Sequence, residues 1–178
     1  APLGREYGEI ATRAFDQRWF DVLECQGKRS GAYSSGCYDS WPYMLLNYKG
    51  TRDSVFTLAH ELGHSMHSYY SRQSQRFLYS RYGLFAAEVA SNFNQATVRD
   101  YLMRTQTAPD FEVALIEEAM SNYHRYFFIM PTLARFELET HTRLENGQPL
   151  TSASMIQLMA DLFSEGYGGE MNLDRARV

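Results

Sequence analysis

The stretch Phe56-Thr57-Leu58-Ala59-His60-Glu61-Leu62-Gly63-His64-Ser65-Met66-His67 decides how this chain is read. It lies within a run, 51–70, whose apolar residues recur at helical intervals, with Asp53 placed to cap the start. At about 100° per residue, Val55, Leu58, Ala59, Leu62, Met66, Tyr69 and Tyr70 gather on one side of that helix. Thr57, His60, Glu61, His64, His67 and Ser68 gather on the other. The helix therefore packs with one face and presents imidazoles with the opposite one. Histidines four apart have Cβ atoms roughly 5–6 Å apart, which lets two ring nitrogens meet one zinc ion at about 2.0–2.1 Å. Glu61 lies about 60° around the helix from His64, so its carboxylate stays out of the ligand set yet near a water on the metal. A catalytic zinc keeps three protein ligands and one open position, and it lowers the pKa of its water toward 7. Glu61 is the expected proton acceptor of such a site.

The third ligand has to come from another element. Continuation of the motif to His-Glu-x-x-His-x-x-Gly-x-x-His is ruled out, because the relevant positions hold His67 and Tyr70. A carboxylate from a later helix is the other common solution, and Glu88 is the candidate. It lies in Phe85-Ala86-Ala87-Glu88-Val89-Ala90-Ser91, part of a helical pattern over 84–104 whose small residues let its backbone come close to the first helix. Glu88, Asn92 and Gln95 form a polar stripe, so a ligand and its supporting hydrogen bonds can share one face. Taken alone, Glu88 would read as a solvated helix residue; the paired histidines change that reading. One zinc ion per chain, held by His60, His64 and Glu88, follows. His67 reads as a supporting or structural residue, since a fourth protein ligand would close the open position. His124 and His141 read as structural, and Arg135, Glu137, Glu139 and Arg143 as charges on a solvated helix face.

Outward from these helices the chain reads as mainly α with a small β element. Ile10, Ala14, Phe15, Trp19, Phe20 and Leu23 predict an amphipathic helix over 11–24 that ends near Gly27. The Gly-, Ser- and Tyr-rich segment 27–50 contains the one convincing strand, 43–48. A polar loop is expected over 71–80. A long helical pattern over 111–144 is interrupted by Pro131, which must kink or split it. Asn146-Gly147-Gln148-Pro149 is a stop, Thr151 a cap, and a last helix ends at Gly166, Gly168 and Gly169. With 178 residues and no repeat, the chain is expected to be a single domain, 1–178.

Composition limits the partners. Seventeen Lys and Arg against twenty-one Asp and Glu give a net charge of −4, and no basic block argues for nucleic acid. The longest apolar runs, Met44-Leu45-Leu46 and Tyr126-Phe127-Phe128-Ile129-Met130, are too short for a membrane span. Residues 1–6 lack the basic start and apolar stretch of a secretory signal. Cys25 and Cys37 fit neither a metal spacing nor a disulfide framework, so reduced thiols in a cytoplasmic protein are expected. The many tyrosines, 13 of them, suit either a peptide-binding cleft or amphipathic packing.

The motif, together with Gly27-Lys28-Arg29-Ser30-Gly31-Ala32-Tyr33-Ser34-Ser35-Gly36, Pro42-Tyr43, Asn47-Tyr48, 85–91 with Phe93-Asn94, Arg135-Phe136-Glu137-Leu138-Glu139 and Gly147-Gln148-Pro149-Leu150-Thr151, resembles the oligoendopeptidase F group. That group belongs to the thimet-oligopeptidase-like zinc metallopeptidases. The resemblance implies a zincin-like catalytic core, zinc ligands at His60, His64 and Glu88, a catalytic Glu61, and hydrolysis of internal bonds in short peptides within a mostly helical channel. Gln95 stands where many relatives carry Glu. The 43–48 strand precedes the zinc helix as the substrate-aligning edge strand does in related peptidases, with Tyr33 and Asn47 as candidate peptide contacts; a purely structural strand is the alternative. Relative to the family, the chain is expected to lack a helical N-terminal region and a downstream segment whose His and Tyr stabilise the oxyanion. Two other outcomes stay open: a zinc- or peptide-binding fragment without catalysis, and a helical domain carrying the motif by accident.

Overall fold

The computed structural model describes residues 3–174, which divide into two compact units between Glu112 and Val113. The first unit opens with helix α1, Arg5–Asp16, followed by three short strands, β1 Phe20–Asp21, β2 Tyr33–Ser35 and β3 Tyr43–Leu45. Helix α2, Arg52–Ser74, a 3₁₀ turn at Phe77–Tyr79 and helix α3, Leu84–Thr105, complete it. Helix α4, Pro109–His124, crosses the division; a π-helical segment Arg125–Ile129, α5 Met130–Glu145 and α6 Ser152–Gly166 follow.

Helix α1 stops eight residues earlier than the apolar spacing predicts. Its end is a Schellman arrangement: Trp19 N–H donates to Ala14 O at 3.0 Å and Arg18 N–H to Phe15 O at 3.2 Å. Arg18 takes the left-handed conformation, φ 56°, that this motif needs and that glycine usually supplies. Trp19, 1% exposed, then enters the core with Ile10, Ala14 and Met66, and Phe20 starts β1. Of the side chains that mimic a helical stripe, the turn thus buries Trp19 and the strand half-buries Phe20, while Phe15 and Leu23 stay exposed.

The sheet order is β1-β3-β2, with β1 parallel and β2 antiparallel to β3. The predicted strand is real but shorter, and it is central, so the expectation that it serves as the open edge is corrected. Met44 N–H donates to Trp19 O at 2.8 Å, so Met44 faces β1, and Tyr43 and Leu45 face β2. Ser34, opposite Met44, therefore turns its backbone N–H and C=O away from β3, toward the open edge of β2.

Helix α2 is capped by Thr51, whose Oγ1 accepts from Ser54 N–H at 3.3 Å, in place of Asp53, which sits in the first turn. It also runs on through Ser74, taking the first part of the expected loop. Helices α2 and α3 lie against one another at very close range. A Cβ on Gly63 would sit 2.7 Å from Ser91 Cα and 2.9 Å from Ala90 O, so only glycine fits there. Buried Asn94 ties three helices: it donates from Nδ2 to Ala59 O at 2.6 Å and accepts from Tyr7 Oη–H at 3.0 Å.

In the second unit, Pro131 follows the π-helical segment in the first turn of α5, where its missing N–H is accommodated by local rewinding. Thr151 and Ser154 form a reciprocal capping box at the start of α6. Leu158, Ala160 and Leu162 are buried on that helix.

Candidate metal centre

Because α2 presents successive turns of one face, His60 and His64 lie side by side, ring centroids 4.9 Å apart and nearly perpendicular. The close approach at Gly63 brings α3 over the same face, and Glu88 reaches both rings. Its Oε2 lies 3.3 Å from His60 Nε2 and its Oε1 3.7 Å from His64 Nε2. One ligand atom from each of the three residues lies within 4.8 Å of the others. Two imidazole nitrogens and a carboxylate oxygen form the donor set of catalytic zinc sites, so the residues fit zinc.

His60 and Glu88 are held from behind. His60 Nδ1 is 3.2 Å from Gln95 Oε1, which selects the tautomer with Nε2 bare toward Glu88. The backbone carbonyl of Ala87 favours the protonated ring of His64. Ser91 Oγ donates to Glu88 Oε2 at 3.0 Å. Gln95 therefore makes its supporting contact as the amide. Replacing it with leucine is expected to weaken zinc binding by about 10–100-fold, measured by competition with a chromophoric chelator. Unchanged affinity would mean that packing alone orients the ring.

Glu61 is buried, 7% exposed, and stays outside the ligand cluster. Burial, then the nearby charge of Glu88, push its carboxyl up to about 7, opposed by a hydrogen bond from the backbone of Ser34. A cation among His60, His64 and Glu88 would cancel the second of these effects. Desolvation lowers the pKa of His64 and of His67.

The other residues singled out in the sequence fall elsewhere. His67 stacks on Tyr82, centroids 3.8 Å apart, and Tyr82 Oη meets Ser68 Oγ at 2.5 Å, which pins the approach to α3. Tyr33 is on the edge strand β2 and 44% exposed. Asn47 spends both amide hydrogens on the carbonyls of Arg29 and Gly31, at 3.0 and 2.8 Å, and so braces the loop before β2. His124 bonds Tyr167 and His141 lies exposed on α5. Arg135 is paired with Glu165 at 3.0 and 2.9 Å, and Arg143 with Glu139 at 2.9 Å. Sequence reasoning missed Ser34, Asn94 and the packing role of Gly63. Of these only Gly63 left a signal, as the small residue on the face shared with α3.

Among the described residues, no helix is long and apolar enough to cross a membrane. The chain is 38% identical to oligopeptidase PepF of Bacillus subtilis over 175 residues, 98% of this chain and 26% of that protein. It is 39% identical to the chromosomal oligoendopeptidase F of Lactococcus lactis subsp. cremoris over 168 residues, 94% of this chain and 28% of that protein. A solved structure from Chlamydophila abortus superimposes with TM-score 0.76 at 39% identity, covering 97% of this chain and 29% of its own. The fold is also that of PZ peptidase A solved with an inhibitor, TM-score 0.76 at 19% identity over 96% of this chain and 30% of that one. The chain thus spans about a quarter of the length of the curated relatives it matches. Its sequence fits the description of peptidase family M3 from residue 4 to residue 178, and on that match this chain belongs to the family.

Proposed function

We propose that this chain is the catalytic part of a zinc-dependent endopeptidase that cuts internal bonds of short peptides. The observation that carries the reading is the convergence of His60, His64 and Glu88 within 4.8 Å, with buried Glu61 beside them and outside the set. Zinc bound by those three residues would supply Lewis-acid polarisation of the scissile carbonyl and activation of water. The Glu61 carboxylate takes a proton from the attacking water and returns it to the leaving amine nitrogen. Gln95 and Ser91 hold the His60 imidazole and the Glu88 carboxylate in place, so these ligands are oriented before substrate arrives. An extended peptide would lie along the open edge of β2, with exposed Tyr33 at its side. The free, exposed thiols of Cys25 and Cys37 support a cytoplasmic setting.

The test is metal content after purification without added metal, with single-turnover cleavage of a quenched fluorescent peptide. One zinc per chain and a cut at an internal bond are expected. Absence of stoichiometric zinc would overturn the reading, while zinc without any cut would leave a binding fragment in its place.

A further inference from the structure

Between α2 and α3 the chain turns back along α2 and is fastened to it as it goes. Ser71 Oγ–H donates to Ser80 O at 2.8 Å. Further along, Tyr82 Oη lies 2.5 Å from Ser68 Oγ and 3.5 Å from the carbonyl oxygen of His64. The Tyr82 ring lies flat on His67, with an interplanar angle of 15° and 3.8 Å between centroids. His67 Nδ1 is buried and hydrogen-bonds nothing, which fits a ring kept for packing. Tyr82 is thus held on α2 at His64, His67 and Ser68. Helix α3 starts directly afterwards, at Leu84, behind Gly83, which supplies no side-chain cap. Without a cap, the start of α3 is set by the residue that leads into it, and that residue is Tyr82.

We propose that Tyr82 is a positioning residue for the Glu88 carboxylate: its hold on His64, His67 and Ser68 sets how α3 lies against α2, and so where Glu88 meets His60 and His64. Glu88 sits between two attachments of α3 to α2. Tyr82 is on one side of it, and the close approach of Gly63 to Ala90 and Ser91 is on the other. A helix that touches its neighbour at one place can still roll or tilt about that place. The carboxylate of a helical glutamate stands roughly 6 Å from the helix axis, so a roll of about 10° carries it about 1 Å, several times the ~0.2 Å that a metal–ligand distance tolerates. The second attachment removes that freedom. Packing of the two helices does not depend on it, because the Gly63 contact and the bond from Asn94 Nδ2 to Ala59 O remain. The role of Tyr82 toward Glu88 rests on the proposed reading of His60, His64 and Glu88 as zinc ligands; the attachment of α3 does not.

The test compares Tyr82→Leu, which removes the stack and the hydroxyl, Tyr82→Phe, which keeps the stack, and Tyr79→Leu, which removes an exposed aromatic of the same return segment as a control. Zinc affinity is read by chelator competition, and ligand geometry by the visible absorption of the cobalt-substituted chain. Tyr82→Leu is expected to weaken zinc binding by about 10–100-fold and to lose absorption intensity, as four-coordinate cobalt gives way to a higher coordination number once Glu88 falls short. Tyr82→Phe, which lacks only the hydroxyl contacts, loses about twofold to tenfold in affinity. Tyr79→Leu matches the wild type in both readings. The spectrum separates positioning from lost stability, because folded chains with Glu88 in place keep the wild-type bands. Wild-type affinity in Tyr82→Leu would overturn the inference, as would weaker binding with an unchanged cobalt spectrum. If Tyr82→Leu does not fold, Tyr82→Phe decides, and unchanged zinc affinity in it overturns the role. A wild-type chain that binds neither zinc nor cobalt would sink the metal reading and this role together; a wild type that binds, with variants that bind equally well, rejects Tyr82 alone and leaves the three ligands standing.

Discussion

Glu61→Gln is expected to lower peptide turnover by about 10²–10⁴-fold while leaving zinc content at one per chain. The substitution keeps the size and planarity of the side chain and removes its capacity to take a proton. Glu61 contributes no atom to the cluster of His60, His64 and Glu88, so metal affinity should move little. Metal analysis and turnover on the same preparation check both halves of the expectation. Full activity would remove Glu61 as the proton acceptor. Loss of both zinc and activity would mean that Glu61 helps to build the site.

The second large effect is expected at Gly63. A methyl group there would meet Ser91 Cα at 2.7 Å and Ala90 O at 2.9 Å, and both are backbone atoms, which cannot rotate aside as a side chain can. Gly63→Ala must therefore push α3 off α2, at a cost of about 1–3 kcal/mol by overpacking, and it carries Glu88 away from the two histidines. The residue lies between the ligands in sequence yet touches no metal, so the predicted signature is a coupled loss: a thermal midpoint several degrees lower and zinc affinity reduced by tenfold or more. Calorimetry and chelator competition read the two. A stable variant with unchanged zinc affinity would show that α3 has room to shift without moving Glu88.

What was legible in the sequence follows from the range over which each feature is determined. The positions of His60, Glu61 and His64 on one face depend only on helical geometry, and a helix fixes that within one turn. Glu88 was reachable because Ala86, Ala87, Ala90 and Ser91 mark a surface that tolerates close packing. Helix ends at Gly147 and Gly168 could be read because glycine occupies the left-handed position, whereas α1 uses Arg18 for the same purpose and gave no such sign. The identity of the edge strand was not legible. It depends on β1 joining β3 in parallel across an intervening loop, a pairing that no local pattern in Phe20–Asp21 announces. With the edge misplaced, Asn47 reads as a peptide contact, whereas its amide is spent on the loop.

The arginine that ends α1 has a consequence for engineering. An L-residue held in the left-handed region carries a standing penalty of about 1–2 kcal/mol, and Arg18 bears it at a place that supplies no atom to the ligand cluster. The fold thus contains a local reserve of stability that a glycine at that turn would release, without altering the chemistry on α2 and α3.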